Sequence, residues 1–453
     1  MRPSLKFLSA LFLPLSLLGQ ELPQYVDNST LKYFPPIIDQ SGGSCAQASA
    51  IGYVFTYEVN RLLDRDASID ANRFSYQYVW NLVNDGEDQG GFADDGLFVA
   101  MRSGAVSVED MGFCGTYSFM WPSGYEKYRN AFRYRVAEII KFNADVDAIK
   151  EYLAPKDGEP GGIVSFSGHC RGWVIDNNYD GPSGTGYKSL LTGLPTSGSH
   201  AMTIVGYDDL VSYTDASGTI HNGAFIAVNS WGTYSHDQGR YYYPYDFFRD
   251  PASYTSHAIG ENVIGARVKY QEPKILFKLT LDYSSRNDLA YNTGATVKES
   301  AGIPDQYYLQ TAMSNAGGDH SMRGAFDKRE IEFALDFTDY ISSANPNYCR
   351  YFLNITRSAR GKIKGEGSLK ALSVIDYRSG TPVEYKYKGE LPKALNDGYN
   401  VFVIGLIPRY VVDCSPVRRT QKPVYLKTKD GAEALISIEK NGLNAKIKYS
   451  LTK

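Results

Sequence analysis

The sequence predicts an α+β fold in about its first 270 residues, followed by an all-β region. Helical and strand patterns alternate up to about residue 268, and short β-rich runs separated by Gly, Asn, Asp and Pro turns follow from Lys274. A chain of 453 residues is also too long for one compact core. We therefore expect one domain over 20–269 and an antiparallel, Ig-like β-sandwich over 270–453, with room for an extra β-unit after Pro416.

Apolar spacing predicts the elements of both regions. Apolar residues at helical spacing predict a helix from about Cys45 to Leu63, and a second helix over roughly Asp145 to Leu153. Strands are expected at Gly161–Phe166, Ala201–Tyr207, Ala224–Val228, Ile275–Leu281 and Val401–Ile407. The dense aromatic run at 240–248 fits a sheet face better than a binding surface.

The bulk composition is that of a soluble globular protein. Hydrophobic residues make up 43% and charged residues 21% of the chain, and the formal net charge is -3. This balance gives no reason to expect nucleic acid as a partner. Residues 415–453 carry nine Lys/Arg against three Asp/Glu. A solvated β-structure and an attraction to an acidic surface both remain open as explanations of that tail.

The N-terminus has the pattern of a signal peptide over 1–19. Arg2 and Lys6 precede the apolar run Phe7–Leu18, and Gly19 is a small residue at the expected cleavage point. A run this short is unsuited to spanning a membrane, and no later segment reaches 18 continuous apolar residues. We therefore expect a secreted, extracellular protein without a membrane span.

Five cysteines fit an exported protein. Their odd number leaves at least one thiol unpaired within the chain. One hypothesis pairs Cys114 with Cys170 and Cys349 with Cys414, which leaves Cys45 free. Other pairings stay open, because sequence alone does not determine the connectivity.

The first candidate for a reactive residue is Cys45, in the stretch Asp39-Gln-Ser-Gly-Gly-Ser-Cys45 at the start of the predicted helix. A cysteine in the first turn of a helix lies at the positive end of the helix dipole, which stabilises thiolate over thiol. The Gly pair before it allows close approach of a substrate to the backbone. Taken alone, such a cysteine is also compatible with simple burial in a core helix.

Two further blocks follow in order. They are Ser199-His-Ala-Met-Thr-Ile-Val-Gly-Tyr207 and Ala227-Val-Asn-Ser-Trp-Gly232, so that His200 and Asn229 follow Cys45 by 155 and 184 residues. Together with the Gln-x-x-Gly-Ser-Cys segment, these blocks resemble the signature of papain-like cysteine peptidases, and the resemblance covers about residues 22–268. It implies a two-lobed fold with a helical lobe and a β-barrel-like lobe.

The resemblance also implies a role for each residue. Cys45 is the expected nucleophile, His200 its base and Asn229 the residue that orients the base. Gln40 is expected to stabilise the oxyanion with the backbone N–H of Cys45, and Trp231 to shield the Asn–His hydrogen bond from water. Such a peptidase acts on protein or peptide substrates and needs no cofactor.

Other features of the sequence leave alternatives open. The pair Gly90-Gly91 is interpreted either as a floor for an extended peptide or as an ordinary loop. Gln40 lies five residues before the nucleophile where the family has six, Ala46 replaces the Trp that normally follows it, and Gly42 replaces a Cys. The stretch before Asp39 leaves no room for an inhibitory propeptide.

Two metal patterns are weak, and three functional alternatives remain. The segment Asp176–Gly181 begins like a calcium loop, but Tyr187 stands where the bidentate Glu belongs. The acidic loop 85–96 fits a solvated loop, and the histidines lack the spacing of zinc ligands.

The main rival to a peptidase is an inactive peptidase-like scaffold that binds proteins or a cell surface. A transacylase and an exopeptidase are the others.

Overall fold

The structure is a computed structural model. It describes residues 21–112, 118–142, 144–181, 186–193, 197–250, 263–322, 330–341, 347–361 and 364–405, and beyond these only the backbone of three strands near the C-terminus. We call residues 21–270 the N-terminal region and residues 275–405 the C-terminal region. The fold is a mixed α+β structure with several sheets.

The N-terminal region contains all the α-helices of the described residues. The helices are α1 Cys45–Gln47, which continues through a π-helical segment Ala48–Phe55 into α2 Thr56–Leu63, then α3 Tyr76–Val83, α4 Ala93–Ser103, α5 Val108–Met111, α6 Tyr125–Ala131, α7 Val146–Leu153 and α8 Tyr245–Arg249. Local sequence sets their ends. The Asp145 carboxylate accepts hydrogen bonds from the first N–H groups of α7, and Asp64 ends α2 in a left-handed conformation.

Nine strands of this region form one sheet. They are β1 Tyr25–Asp27, β2 Tyr134–Lys141, β3 Val164–Gly168, β4 Val174–Asp176, β5 Leu190–Gly193, β6 His200–Thr214, β7 Ile220–Val228, β8 Arg240–Pro244 and β9 Ile264–Tyr270. Their order is β2-β9-β3-β6-β7-β8-β5-β4, with β1 paired to β6. Because β6 and β7 are antiparallel with Thr203 opposite Val228, the start of β6 lies beside the end of β7.

The helix from α1 to α2 packs against this sheet. Its middle is fully buried, including Ile51, Val54 and Phe55. Ser49 Oγ donates to the carbonyl of Met202 in β6, and the Tyr53 hydroxyl donates to the carbonyl of Asn229 just after β7. These contacts fix the first turn of the helix against the two strand ends.

The C-terminal region is built from antiparallel sheets. Its strands are β10 Ile275–Tyr283, β11 Leu289–Thr296, β12 Gln306–Leu309, β13 Glu330–Asp336, β14 Arg350–Arg357, β15 Gly367–Asp376, β16 Val383–Lys386, β17 Lys393–Ala394 and β18 Gly398–Gly405. One sheet has the order β13-β10-β15-β16 with β17 on β15, and the other β12-β11-β14-β18. Rings of the two sheets contact each other, for example Phe277 with Tyr351 and Tyr291 with Phe333. The three further strands, β19 Val424–Lys427, β20 Glu433–Asn441 and β21 Asn444–Thr452, form a separate sheet.

The two regions share one apolar core that extends from the helices into both C-terminal sheets. At the junction, Arg135 of β2 forms a buried ion pair with Asp336 of β13. The backbone N–H of Gly124 donates to the carbonyl of Glu332, and the carboxylate of Glu332 accepts from the N–H of Tyr125. The second region is therefore attached to the first by buried apolar and polar contacts.

Most of the predicted elements are confirmed with small shifts at their ends. The helix predicted from Cys45 to Leu63 is present, although its middle is π-helical, and the five predicted strands correspond to β3, β6, β7, β10 and β18. Among the described residues Cys45, Cys170 and Cys349 are free thiols. The predicted pairings of Cys170 with Cys114 and of Cys349 with Cys414 involve residues that lie outside the described ranges. The predicted signal peptide also lies outside them. The boundary between residues 269 and 270 stays a prediction.

Candidate active site

Cys45 is the first residue of α1 and is half-buried. The helix begins there because Gly42, at a φ of 54°, and Gly43 turn the chain before it. The Ser44 hydroxyl donates to the carbonyl of Ser41 at 2.6 Å and closes this turn. The thiol lies beside β6, where the backbone N–H of Ala201 hydrogen-bonds to it.

His200 and Asn229 meet where β6 begins and β7 ends. His200 Nε2 and Asn229 Oδ1 are 2.7 Å apart, and both side chains are buried. The same Oδ1 accepts the backbone N–H of Ser230 at 2.7 Å. Because an amide oxygen can only accept, His200 Nε2 carries the hydrogen, which leaves Nδ1 with a free lone pair for a proton.

Aromatic rings cover this hydrogen bond. The ring of Trp231 stacks on His200 with centroids 4.4 Å apart. Trp173, after β3, contacts Trp231, His236 and Tyr241 at centroid distances of 5.4 to 5.6 Å. Such an apolar cover strengthens the electrostatic interactions beneath it by excluding water.

Gln40 is fixed to the segment that follows Asn229. Its backbone N–H donates to the carbonyl of Ser230 at 2.8 Å, and its side-chain oxygen accepts from the Ser230 hydroxyl at 2.6 Å. Its Nε2 donates to the carbonyl of Gly42 at 2.9 Å. An amide nitrogen has two hydrogens, so one N–H of Gln40 remains to bind an oxyanion.

The loop before α4 lies against the turn that precedes Cys45. The carboxylate of Asp88 accepts the backbone N–H of Gly43 at 2.7 Å. A Cβ on Gly43 would lie 2.8 to 2.9 Å from the backbone of Gln89 and Gly90, so only glycine permits this approach. Gly90 and Gly91 are themselves exposed. The acidic loop is thus partly engaged beside the site, rather than purely solvated as its sequence suggested.

Burial governs the ionisation of both reacting groups. It raises the pKa of the Cys45 thiol, and the nearby backbone N–H groups, including that of Ala201, oppose this effect. Burial also lowers the pKa of His200 to about 4, against the hydrogen bond to Asn229. The backbone N–H groups at the helix start therefore act in the direction predicted from the sequence, and burial is the larger effect on the pKa of the thiol.

Several residues at the site were not singled out from the sequence. Asp88 was considered only as one of the acidic residues of loop 85–96, and Trp173 was not selected, because the loops that bring them to the site have no regular period. Ser230 stands inside the Asn-Ser-Trp-Gly block, and its position next to Asn229 could have suggested it. His236 was considered only as a metal ligand, although it lies 3.1 Å from Asn229.

The other candidate sites from the sequence have ordinary local contacts. The carboxylate of Asp176 accepts the backbone N–H of Asn178, and the Asn177 side chain accepts from the Ser189 hydroxyl. Within the described ranges, no three His, Cys, Asp or Glu side chains are grouped to hold a metal ion. Among the residues that the structure describes, no helix is both long and apolar enough to cross a membrane.

Comparison with known proteins gives structural neighbours but no sequence match. No family model and no curated protein matches the chain. Xylellain, a cysteine protease from Xylella fastidiosa, is similar at 20% identity over 55% of this chain and 87% of its own, with a TM-score of 0.40. The bromelain protease from Ananas comosus, solved with the E64 inhibitor, gives 16% identity over 54% and 99%, with a TM-score of 0.34.

A digestive procathepsin L 3 from the larval midgut of Tenebrio molitor is similar at 16% identity, over 55% of this chain and 71% of its own, with a TM-score of 0.36. About half of the chain is thus similar in structure to papain-like cysteine proteases. At TM-scores below 0.5 this likeness carries no weight in assigning an activity. A function for this chain has to rest on the geometry of its own site.

Proposed function

We propose that the protein is a secreted cysteine peptidase that hydrolyses peptide bonds through Cys45, His200 and Asn229. The observation that carries the proposal is the 2.7 Å hydrogen bond between His200 and Asn229, at strand ends next to a helix that begins with Cys45. It holds the imidazole in one tautomer, with Nδ1 free to accept the thiol proton.

The reaction follows from these groups. Cys45 gives its proton to His200 Nδ1 as its sulfur attacks the substrate carbonyl carbon, and the carbonyl oxygen becomes an oxyanion. The free N–H of Gln40 and the backbone N–H of Cys45 stabilise that oxyanion. His200 then protonates the leaving amine, and water hydrolyses the thioester and regenerates the thiol. The cover of Trp231 over His200 supports this assignment, because it keeps water from the orienting hydrogen bond.

Gly90 and Gly91 are proposed to bind an extended peptide through their backbone, supported by their exposure and by the packing of Gly90 on Gly43.

The C-terminal region is proposed to be an immunoglobulin-like sandwich that binds substrate or a cell surface. Its two antiparallel sheets with contacting rings support the sandwich. Export is supported by the basic residues and apolar run at the N-terminus.

The test compares the wild-type protein with Cys45→Ala and with Cys349→Ala. Cys349 is a second half-buried free thiol, far in sequence from the site, so it controls for general thiol reactivity. Each protein is treated with an epoxide thiol inhibitor and assayed on a mixed peptide library under reducing conditions.

We expect wild type and Cys349→Ala to be labelled at Cys45 and to cleave peptides, and Cys45→Ala to do neither. A folded wild-type protein that is neither labelled nor active would overturn the peptidase assignment in favour of an inactive scaffold. Ligated peptides formed in the presence of an amine acceptor would identify a transacylase instead.

A further inference from the structure

A second histidine, His236, lies directly behind Asn229. We infer that His236 is a positioning residue, which holds the Asn229 amide in the orientation that presents its oxygen to His200. This inference rests on the proposed function, since it assigns His236 a role in the same site. It acts through Asn229 and does not touch the reacting atoms.

A closed turn brings His236 to this position. The backbone N–H of Asn229 donates to the carbonyl of Gly239 at 2.9 Å, and the N–H of Gly239 donates to the carbonyl of Ser235 at 2.7 Å. His236 itself has a left-handed backbone with a φ of 55°. A non-glycine residue in this conformation is uncommon and is kept only where its surroundings determine it. The turn places His236 Nε2 3.1 Å from Asn229 Nδ2.

The groups around the Asn229 amide determine which of its atoms accepts and which donates in each hydrogen bond. Its oxygen faces two donors, the backbone N–H of Ser230 and Nε2–H of His200, each at 2.7 Å. Its NH2 group faces His236 Nε2, which therefore has to be an acceptor and carry a lone pair. With the amide rotated by 180°, the NH2 group would meet two donors in a buried site and the oxygen would meet none. A neutral His236 favours the productive orientation.

The surroundings of His236 keep its ring in place and uncharged. The ring lies between Trp173 and Tyr241, at centroid distances of 5.4 and 4.7 Å. Burial and the neighbouring His200 lower the pKa of His236 to about 4. The titratable groups that face it are His200 and the Tyr241 phenol, whose pKa burial raises well above its ordinary value. The carboxylate of the next residue, Asp237, accepts the backbone N–H of Lys188 instead.

Loss of the lone pair on His236 would reverse this arrangement. A protonated His236 directs an N–H at the Asn229 NH2 group. Rotation of the amide removes this conflict and turns the NH2 group toward His200, at the cost of setting it against the backbone N–H of Ser230. The rotated amide offers His200 an N–H, so His200 must present Nε2 as the acceptor and move its hydrogen to Nδ1. Nδ1 then has no lone pair for the thiol proton of Cys45. His236 thus affects the tautomer of the base and not the binding of substrate.

Two substitutions separate this role from a merely structural one. His236→Phe keeps an aromatic ring against Trp173 but has no acceptor, whereas His236→Gln lacks the ring but restores an acceptor oxygen. Both place a side chain with a Cβ at the left-handed backbone position, and thermal unfolding of each variant measures any difference in stability. The measurements are kcat and KM on a peptide substrate from pH 4 to 8, and the nitrogen chemical shifts of ¹⁵N-labelled His200, which report its tautomer without any turnover.

We expect His236→Phe to lower kcat about 10- to 100-fold with KM unchanged, by analogy with the loss typical when the partner that orients a metal-bound histidine is removed. His200 in this variant should lose the pure Nε2–H tautomer, and His236→Gln should recover most of kcat. A His236→Phe protein with the wild-type tautomer and kcat would overturn the inference. Equal losses in both variants would also overturn it, because they would indicate a packing role. An inactive wild-type protein with the predicted tautomer would instead contradict the proposed function.

Discussion

The candidate active site and the junction between the two regions are both buried polar clusters, but they differ in charge. At the site, Asn229 and His200 are 0% and 3% exposed, and each polar atom facing the other is paired in a neutral hydrogen bond. At the junction, Arg135 and Arg286 are fully buried guanidinium groups, and Asp336 is the one carboxylate that pairs with Arg135 in the described residues.

The junction is also less completely hydrogen-bonded than the site. Arg286 Nε donates to the carbonyl of Gly317, and its guanidinium lies 4.3 Å from the ring centre of Trp121 in the N-terminal region. Its two terminal nitrogens and Nη1 of Arg135 have no partner among the described residues. Burial lowers the pKa of Arg286 to about 9. The candidate site thus buries neutral groups with their hydrogen bonds made, whereas the junction buries charged groups that depend on a partner, so that removal of the partner leaves a buried charge unpaired.

The largest effect is expected at the junction. Asp336→Ala leaves Arg135 buried without its carboxylate, which should lower the free energy of unfolding by about 3 to 5 kcal/mol. Urea unfolding measures this change. Asp339→Ala removes a nearby exposed carboxylate and should change stability by less than about 0.5 kcal/mol. If both variants lose the same small amount, the junction does not depend on its ion pair.

A change at the site should affect rate and not stability. Gln40→Ala removes the proposed oxyanion donor and should lower kcat about 10²- to 10³-fold. Because Gln40 is only partly buried, unfolding should be little changed. Ser230→Ala, which removes only the hydroxyl that anchors Gln40, should produce a smaller loss in kcat. Steady-state kinetics of the two variants test the role of Gln40. An unchanged kcat in Gln40→Ala would exclude Gln40 from the proposed mechanism.

We expect the smallest effect from substitution of His320, whose contacts connect the two clusters. His320 of the C-terminal region lies 3.1 Å from the carbonyl of Gly86 and stacks on Phe119 at 5.0 Å. His320→Ala removes both contacts and should cost about 1 kcal/mol in unfolding free energy. His320→Phe keeps the stacking and should lose less, as thermal unfolding can test. Gly86 begins the loop that carries Asp88. A rise in KM for His320→Ala would therefore indicate that this contact also affects the loop beside Cys45.

The regular parts of this fold were predictable from local sequence. The helix beginning at Cys45 and the strands around His200 and before Asn229 follow from apolar periodicity, because each buries one face or a continuous apolar run. The π-helical middle of that helix was not predictable, since its buried residues have no distinctive spacing. The disulfide pairing could not be predicted, because a count of cysteines carries no information on the distances between them.

The candidate site was predictable only where a motif names the residue. Gln40 and Trp231 lie where the motif suggested, each beside a partner within hydrogen-bonding or stacking distance. His236, Trp173 and Asp88 reach the site through turns and loops, and tertiary packing alone determines their positions. The attachment of the C-terminal region likewise depends on contacts between residues about 200 positions apart, such as Arg135 and Asp336.

The two imidazoles at Asn229 also make the stability of the protein depend on pH. His200 and His236 each have a pKa of about 4 in the folded state, against about 6.5 for histidine in an unfolded chain. Between pH 6.5 and 4 the unfolded chain therefore binds protons that the folded one does not, and stability falls as the pH falls. The loss is on the order of 3 kcal/mol for each histidine once the pH is below about 4. Acidification from about pH 6.5 towards 4 should thus lower the free energy of unfolding, as urea unfolding at several pH values would measure.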